Sequence, residues 1–185
     1  GCSGIRECHI FLTHFHWDHI QGIPFFRPAF DRECKITFYS PDEKLESILR
    51  EQMKMPYSSV EMSEMKADIR FVVLRHKISF SGCDVSFRKI LHPGGCYAYR
   101  FSENGKNLIV ATDMELREED FADTDENSEF YRSADMIILD SHYGPNETAG
   151  IRERGHSSNC LGVDFTGKWG IRNLVLFHYN PDFND

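Results

Sequence analysis

The sequence has no uninterrupted apolar run near the ~20 residues that a bilayer-spanning helix requires, and its start shows no charged segment leading into an apolar one. The chain therefore reads as soluble, with no membrane association expected. Paired or densely spaced cysteines are also lacking: the six thiols stand singly at positions 2, 8, 34, 83, 96 and 160. That pattern excludes a disulfide-stapled secreted scaffold and is the one expected of reduced thiols in the cytoplasm. Basic side chains are few, 21 against 29 acidic ones, and the formal charge of −8 disfavours a protein that coats nucleic acid or anionic lipid. Only a local basic pocket or a bound metal would override that balance. Internal repeats, low-complexity tracts and dividing linkers are missing too. What remains is apolar content of 41%, with 13% aromatic residues, in 185 positions. This is enough for one core that hides about 70% of the unfolded surface, so a single domain over residues 1–185 is expected.

Along the chain, Cys8–Thr13 and Lys35–Tyr39 read as strands. Ser40-Pro41-Asp42-Glu43 then reads as a helix start, and Leu45, Ile48, Leu49 and Met53 fall on one helical face. The methionine-rich stretch 54–68 reads as a loop able to act as a lid. Ile69–Leu74, Val85–Leu91, Tyr97–Phe101 and Leu108–Ala111 form a run of strands joined by turns such as Glu103-Asn104-Gly105-Lys106, which implies mainly antiparallel pairing. Glu115–Glu129 reads as an acidic surface helix with a loop, Met136–Leu139 and Leu174–Phe177 as strands, and Ser157–Trp169 as helical. Strands in a group, followed by strands alternating with helices, point to α+β or layered α/β architecture.

Chemistry concentrates in Thr13-His14-Phe15-His16-Trp17-Asp18-His19, three imidazoles and a carboxylate directly behind an apolar strand. On extended backbone His14 and His16 project to the same side and can grip one ion. Asp18 and His19 follow the start of a turn and can face a neighbouring ion. Neutral imidazole with carboxylate suits zinc, iron or manganese.

This motif resembles the signature of the metallo-β-lactamase superfamily. The likeness extends to His92 in Leu91-His92-Pro93-Gly94-Gly95, Asp113 in Ala111-Thr112-Asp113 and His178 in Leu176-Phe177-His178, each behind an apolar strand. The resemblance implies a four-layer αββα sandwich. It also implies two divalent ions, zinc first with manganese or iron open: His14, His16 and His92 on one, Asp18, His19 and His178 on the other, Asp113 shared. Such ions would make an anion receptor on an acidic protein and supply hydroxide from a shared water near neutral pH.

Gly155-His156-Ser157-Ser158 resembles the glycine-histidine element of the phosphodiesterase branch, which includes ribonuclease Z and the phosphoribosyl cyclic phosphodiesterases. There this histidine faces the substrate phosphate, so His156 is the candidate to stabilise charge or protonate the leaving oxygen. Ile137-Ile138-Leu139-Asp140 resembles the strand whose terminal carboxylate orients that histidine, which assigns Asp140 as orienter. Asp18 joins these two in the catalytic set. His142 reads as a plain loop histidine, Arg100 as an exposed strand arginine, and Cys96 and Cys160 as buried thiols.

Only 21 residues separate His92 from Asp113, too few for the long arm with which ribonuclease Z grasps transfer RNA. A small or cyclic phosphodiester is expected as substrate, not structured RNA. The family usually begins with strands ahead of its motif and continues past its last histidine. The resemblance therefore makes the domain look incomplete at its N terminus, and at its C terminus as well. Gly1–Arg6 bears a faint likeness to the family's glycine-rich turn, and Cys2 with Cys8 does not make the extra cysteine zinc site of the cyclic diesterases. Two other functions stay open: hydrolysis of a lactone or thioester, and a non-catalytic di-iron sensor domain.

Overall fold

The computed structural model describes residues 6–144, 147 and 153–182. The Gly1–Arg6 turn, apart from Arg6, and Cys2 lie outside the described residues. The chain divides into two compact units, Gly1–Arg75 and His76–Asp185.

The first unit is a three-stranded parallel sheet, ordered β1 (Glu7–Phe11), β2 (Lys35–Ser40), β3 (Asp68–Val73). Glu7 pairs with Lys35 and Lys35 with Asp68, so the strands start level. The short helix α1 (Trp17–Ile20) follows β1, and α2 (Leu45–Gln52) links β2 to β3. Leu45, Leu49 and Met53, one turn apart along α2 and its end, are fully buried with Ile36 and Phe38 of the central strand. Each such side chain contributes on the order of 1.5–3 kcal/mol by leaving water.

Two expectations are corrected here. The helix starts at Leu45 rather than beside Ser40, because Ser40 ends β2 and its hydroxyl takes the Asp42 amide at 3.3 Å, while the Asp42 carboxylate takes the Lys44 amide at 2.8 Å. These turn contacts compete with a first helical turn. β3 pairs parallel to β2, not antiparallel, because α2 and the loop after it provide the long crossover that parallel neighbours need. Met62 and Met65 of that loop are buried in the core, flanked by a capping box between Glu61 and Glu64. That half of the expected lid is packed down.

The second unit is a six-stranded mixed sheet with the order β4 (Ile78–Phe80), β5 (Cys83–Ile90), β6 (Cys96–Glu103), β7 (Lys106–Ala111), β8 (Met136–Asp140), β9 (Asn173–Phe177). β4 to β7 are antiparallel hairpins; β8 and β9 run parallel to β7. The β6–β7 turn has Asn104 and Gly105 at φ 49° and 73°, the left-handed pair that a two-residue hairpin needs. Ser81 and Gly82 (φ 51° and 83°) do the same for β4–β5, a hairpin the sequence pattern did not reveal because β4 has only three residues.

Helix α3 (Asp125–Tyr131) leads into β8, and α4 (Asn159–Trp169) into β9. Ser158 caps α4 by accepting from the Leu161 amide, and Gly170 closes it in the left-handed region. The core beneath gathers Ile109, Ile137, Leu139, Tyr131, Phe165 and Trp169. Among the described residues no helix is long and apolar enough to cross a membrane. The described cysteines are all free thiols; Cys96 is buried, as expected, whereas Cys160 is exposed.

Candidate metal and phosphate site

In the first unit the chain leaves β1 at Phe11, and its next residues carry the histidine motif. His14 is buried and His16 exposed at the start of α1; their rings lie 4.6 Å apart edge to face. The His14 and His19 rings are 4.2 Å apart, and His19 Nε2 lies 3.3 Å from an Asp18 carboxylate oxygen. The Thr13 hydroxyl and His14 Nδ1 are hydrogen-bonded at 3.1 Å. The strand end and one helical turn thus bring all four motif side chains of this unit together.

In the second unit three strand ends deliver the others. His92 follows β5, Asp113 follows β7, and His178 follows β9 in the left-handed conformation (φ 60°), a rare geometry for a non-glycine residue. His92 Nε2 and His178 Nε2 lie 3.8 and 3.4 Å from the same Asp113 oxygen, Oδ2. His92 Nδ1 donates to the Gly155 carbonyl at 2.8 Å, which fixes the tautomer and leaves Nε2 with its lone pair turned to Asp113. Asp113, Asp140, His156 and His178 each bring a donor atom within 4.8 Å of the others', a grouping close enough to hold a cation. A backbone carbonyl on the far nitrogen is also the usual support of a metal-bound imidazole. The donor set here fits a divalent metal.

Beside them stands the glycine-histidine element. His156 Nδ1 and Asp140 Oδ2 are hydrogen-bonded at 2.6 Å. Asp140 is fully buried, and its carboxylate also accepts the amides of Ser157 (2.9 Å), His142 (3.0 Å) and Met114 (3.4 Å). With its lone pairs so used, Asp140 is an orienter by geometry rather than a cation ligand, although its oxygen lies near Asp113, His156 and His178. The His156 ring stacks on His178 at 4.9 Å and on His142 at 4.5 Å. His142 also donates from Nδ1 to the His178 carbonyl at 3.3 Å. It is thus part of this cluster and not a plain loop residue. Burial lowers its proton affinity, and so does the neighbouring His156.

Gly155 is required where it stands. Its φ is +83°, and a Cβ there would fall 2.2 Å from Pro93 Cδ and 2.5 Å from His92 Nδ1. The Ser157 hydroxyl donates to the Met114 carbonyl at 2.6 Å and accepts the Leu116 amide at 2.8 Å. Glu115 contradicts its sequence reading as part of an acidic surface helix. It is buried and accepts the amides of Gly155 (2.9 Å) and Glu153 (3.1 Å) and the Arg117 guanidinium (2.9 Å). Burial opposes its charge, yet the two amides and Arg117 together outweigh burial and hold its carboxyl below the usual range. No pattern in the sequence marks it. The rest of that segment forms one 3-10 turn, Glu118–Phe121, before α3.

A cleft of about 530 Å³ opens beside His156, walled by Leu116, Arg117, Phe121, Tyr143 and Leu161. Arg100 lies away from it: its guanidinium donates to the carbonyls of Phe130 (2.6 Å) and Arg132 (3.1 Å) at the end of α3. It is half-buried and held by these carbonyls, not the exposed strand arginine of the sequence reading.

The profile of the family described as Beta-lactamase superfamily domain matches residues 7–179. Ribonuclease Z of Streptococcus pneumoniae (strain CGSP14) is 22% identical over 222 aligned positions, covering 94% of this chain and 72% of the relative. That alignment is longer than this chain, so the relative carries internal segments that this chain lacks. Among solved structures, the metallo-beta-lactamase fold protein YhfI from Bacillus subtilis superposes with a TM-score of 0.71 at 17% identity, covering 96% of this chain and 66% of that one. The short form of human tRNase Z gives 0.70 at 16% identity, covering 93% and 72%. The fold is thus the α/β metallo-β-lactamase fold with two sheets, and the chain belongs to the metallo-β-lactamase superfamily, with ribonuclease Z as a distant relative.

Proposed function

We propose that this chain is a metal-dependent phosphodiesterase acting on a small or cyclic phosphodiester. The observation that carries the reading is the Asp140-held imidazole of His156, stacked on His178 beside the His92–Asp113 cluster. His92, Asp113 and His178 would hold divalent cations. The sequence motif assigns His14, His16, Asp18 and His19 to the same pair of ions, with zinc the first candidate. Bound cations supply charge neutralisation for the phosphate and a water ionisable near neutral pH.

The protein's own groups do the rest. Asp140 accepts a hydrogen bond from His156 Nδ1–H, which leaves Nε2 as the reactive nitrogen. Its Nε2–H donates to a phosphoryl oxygen and then passes its proton to the leaving oxygen. The buried Ser157 holds the backbone that follows His156 by bonding across to Met114 and Leu116. The cleft beside His156 receives the leaving group. A small substrate is supported by the β6–β7 connection, a two-residue turn where a protruding arm would be needed to grip folded RNA.

The test is steady-state kinetics of wild type and His156→Ala on bis(p-nitrophenyl) phosphate, a lactone and a thioester, with zinc content measured on the same samples. Loss of His156 is expected to lower phosphodiester kcat by about 10²–10⁴-fold with zinc unchanged. Equal turnover of all three substrates in both proteins would support the lactone or thioester reading. An inert, iron-loaded wild type would support the sensor reading.

A further inference from the structure

The Gly155 peptide lies between two imidazoles that the proposed reaction uses differently. Its carbonyl receives the Nδ1 proton of His92 at 2.8 Å, and its C-terminal neighbour is His156. Its amide is held at 2.9 Å by Glu115 Oε2, while the other oxygen of that carboxylate takes the Glu153 amide at 3.1 Å. One side chain therefore grips both ends of the turn 153–155. Glu115 is fixed in its own right: its amide donates to the Leu91 carbonyl at 3.0 Å, next to His92, and Arg117 lies against Oε1.

From this geometry we infer that Glu115 is a positioning residue: its carboxylate locks the 153–155 turn, so that one peptide orients His92 for cation binding and presents His156 to the substrate. The inference rests on the reading that His92 holds a cation and His156 meets the phosphate. The requirement for glycine at 155 points the same way. The turn approaches His92 so closely that no side chain fits between them, and small displacements of the turn are transmitted to the ring. Partners that orient a metal-bound histidine change metal affinity or activity by about 10–100-fold when removed.

The experiment compares wild type with Glu115→Ala, Glu115→Gln and Arg117→Ala by three measurements. The first is nitrogen-15 NMR of the His92 Nδ1 proton and the Gly155 amide in metal-free protein. The second is zinc affinity by chelator competition. The third is kcat and KM on bis(p-nitrophenyl) phosphate. In Glu115→Ala both protons are expected to exchange faster, zinc to bind at least tenfold more weakly, and kcat to fall with KM little changed. Glu115→Gln keeps one acceptor for the Gly155 amide, so it should fall between. Arg117→Ala leaves both amide contacts and should change zinc affinity by less than threefold.

If Glu115→Ala does not fold, Glu115→Gln carries the test by the same three readouts. Unaltered exchange at His92 and Gly155 in a folded Glu115 variant overturns the inference, as does a fall in melting temperature with zinc affinity unchanged. If the wild type itself takes up no zinc or leaves the phosphodiester intact, the functional reading fails, while the NMR comparison still decides the role of Glu115.

Discussion

A glycine, and a carboxylate with no sequence signature, hold His92 and His156 in place. Gly155 is the sharper case, because a methyl group at its Cβ would overlap Pro93 and His92 at 2.2 and 2.5 Å in a backbone region that side chains rarely enter. Gly155→Ala is expected to lower the melting temperature and to weaken zinc binding together, since relief of the overlap must move the His92 ring. Calorimetry and chelator competition on the same preparation check this; an unchanged zinc affinity would show that the turn yields without disturbing His92. The pairing of His156 with Asp140 was legible in the sequence, and the seven expected ligands were conspicuous there as imidazoles and carboxylates behind apolar strands. Glu115 was not, because a carboxylate in an acidic stretch looks solvated until its hydrogen-bond partners are known, and those lie 38 and 40 residues away.

At the scale of elements, the readable features were those whose cause is local. The Asn104-Gly105 turn and the Leu45–Leu49–Met53 stripe act through neighbours in sequence. Pairing direction was legible only in part: the consecutive hairpins β5 to β7 followed from turn chemistry, but the parallel placement of β3 depends on what fills its crossover. Two long-range bonds tie the β6–β7 hairpin to the residue before β8: Asp135 accepts the Asn107 amide at 2.9 Å and the Lys106 ammonium at 3.0 Å. The Asn107 amide first, and then Lys106, hold the Asp135 carboxyl below its usual range. A carboxyl depressed in the folded state adds stability that is complete above its unfolded pKa of ~3.9 and is lost as the pH falls through the lower folded value. Asp135→Asn should therefore be less stable than wild type at pH 6 and closer to it at pH 3. Urea unfolding at the two pH values measures this, and a difference that does not change with pH would contradict it.

For the whole molecule, the net charge of −8 and the proposal of an anionic substrate conflict unless the site itself carries positive charge. Divalent cations would reconcile them, since two ions would outweigh the carboxylates around them and make a local receptor for phosphate on an acidic protein. Family membership follows from the match over residues 7–179, but the scaffold hosts several chemistries, and bound cations are what the proposed phosphodiesterase chemistry requires. The most direct measurement is zinc stoichiometry by plasma emission spectrometry after dialysis against zinc buffer, comparing wild type with Asp113→Ala. Wild type is expected to retain close to two ions per chain and Asp113→Ala fewer than one, with both proteins folded by circular dichroism. Equal retention in the two proteins, or none in the wild type, would contradict it.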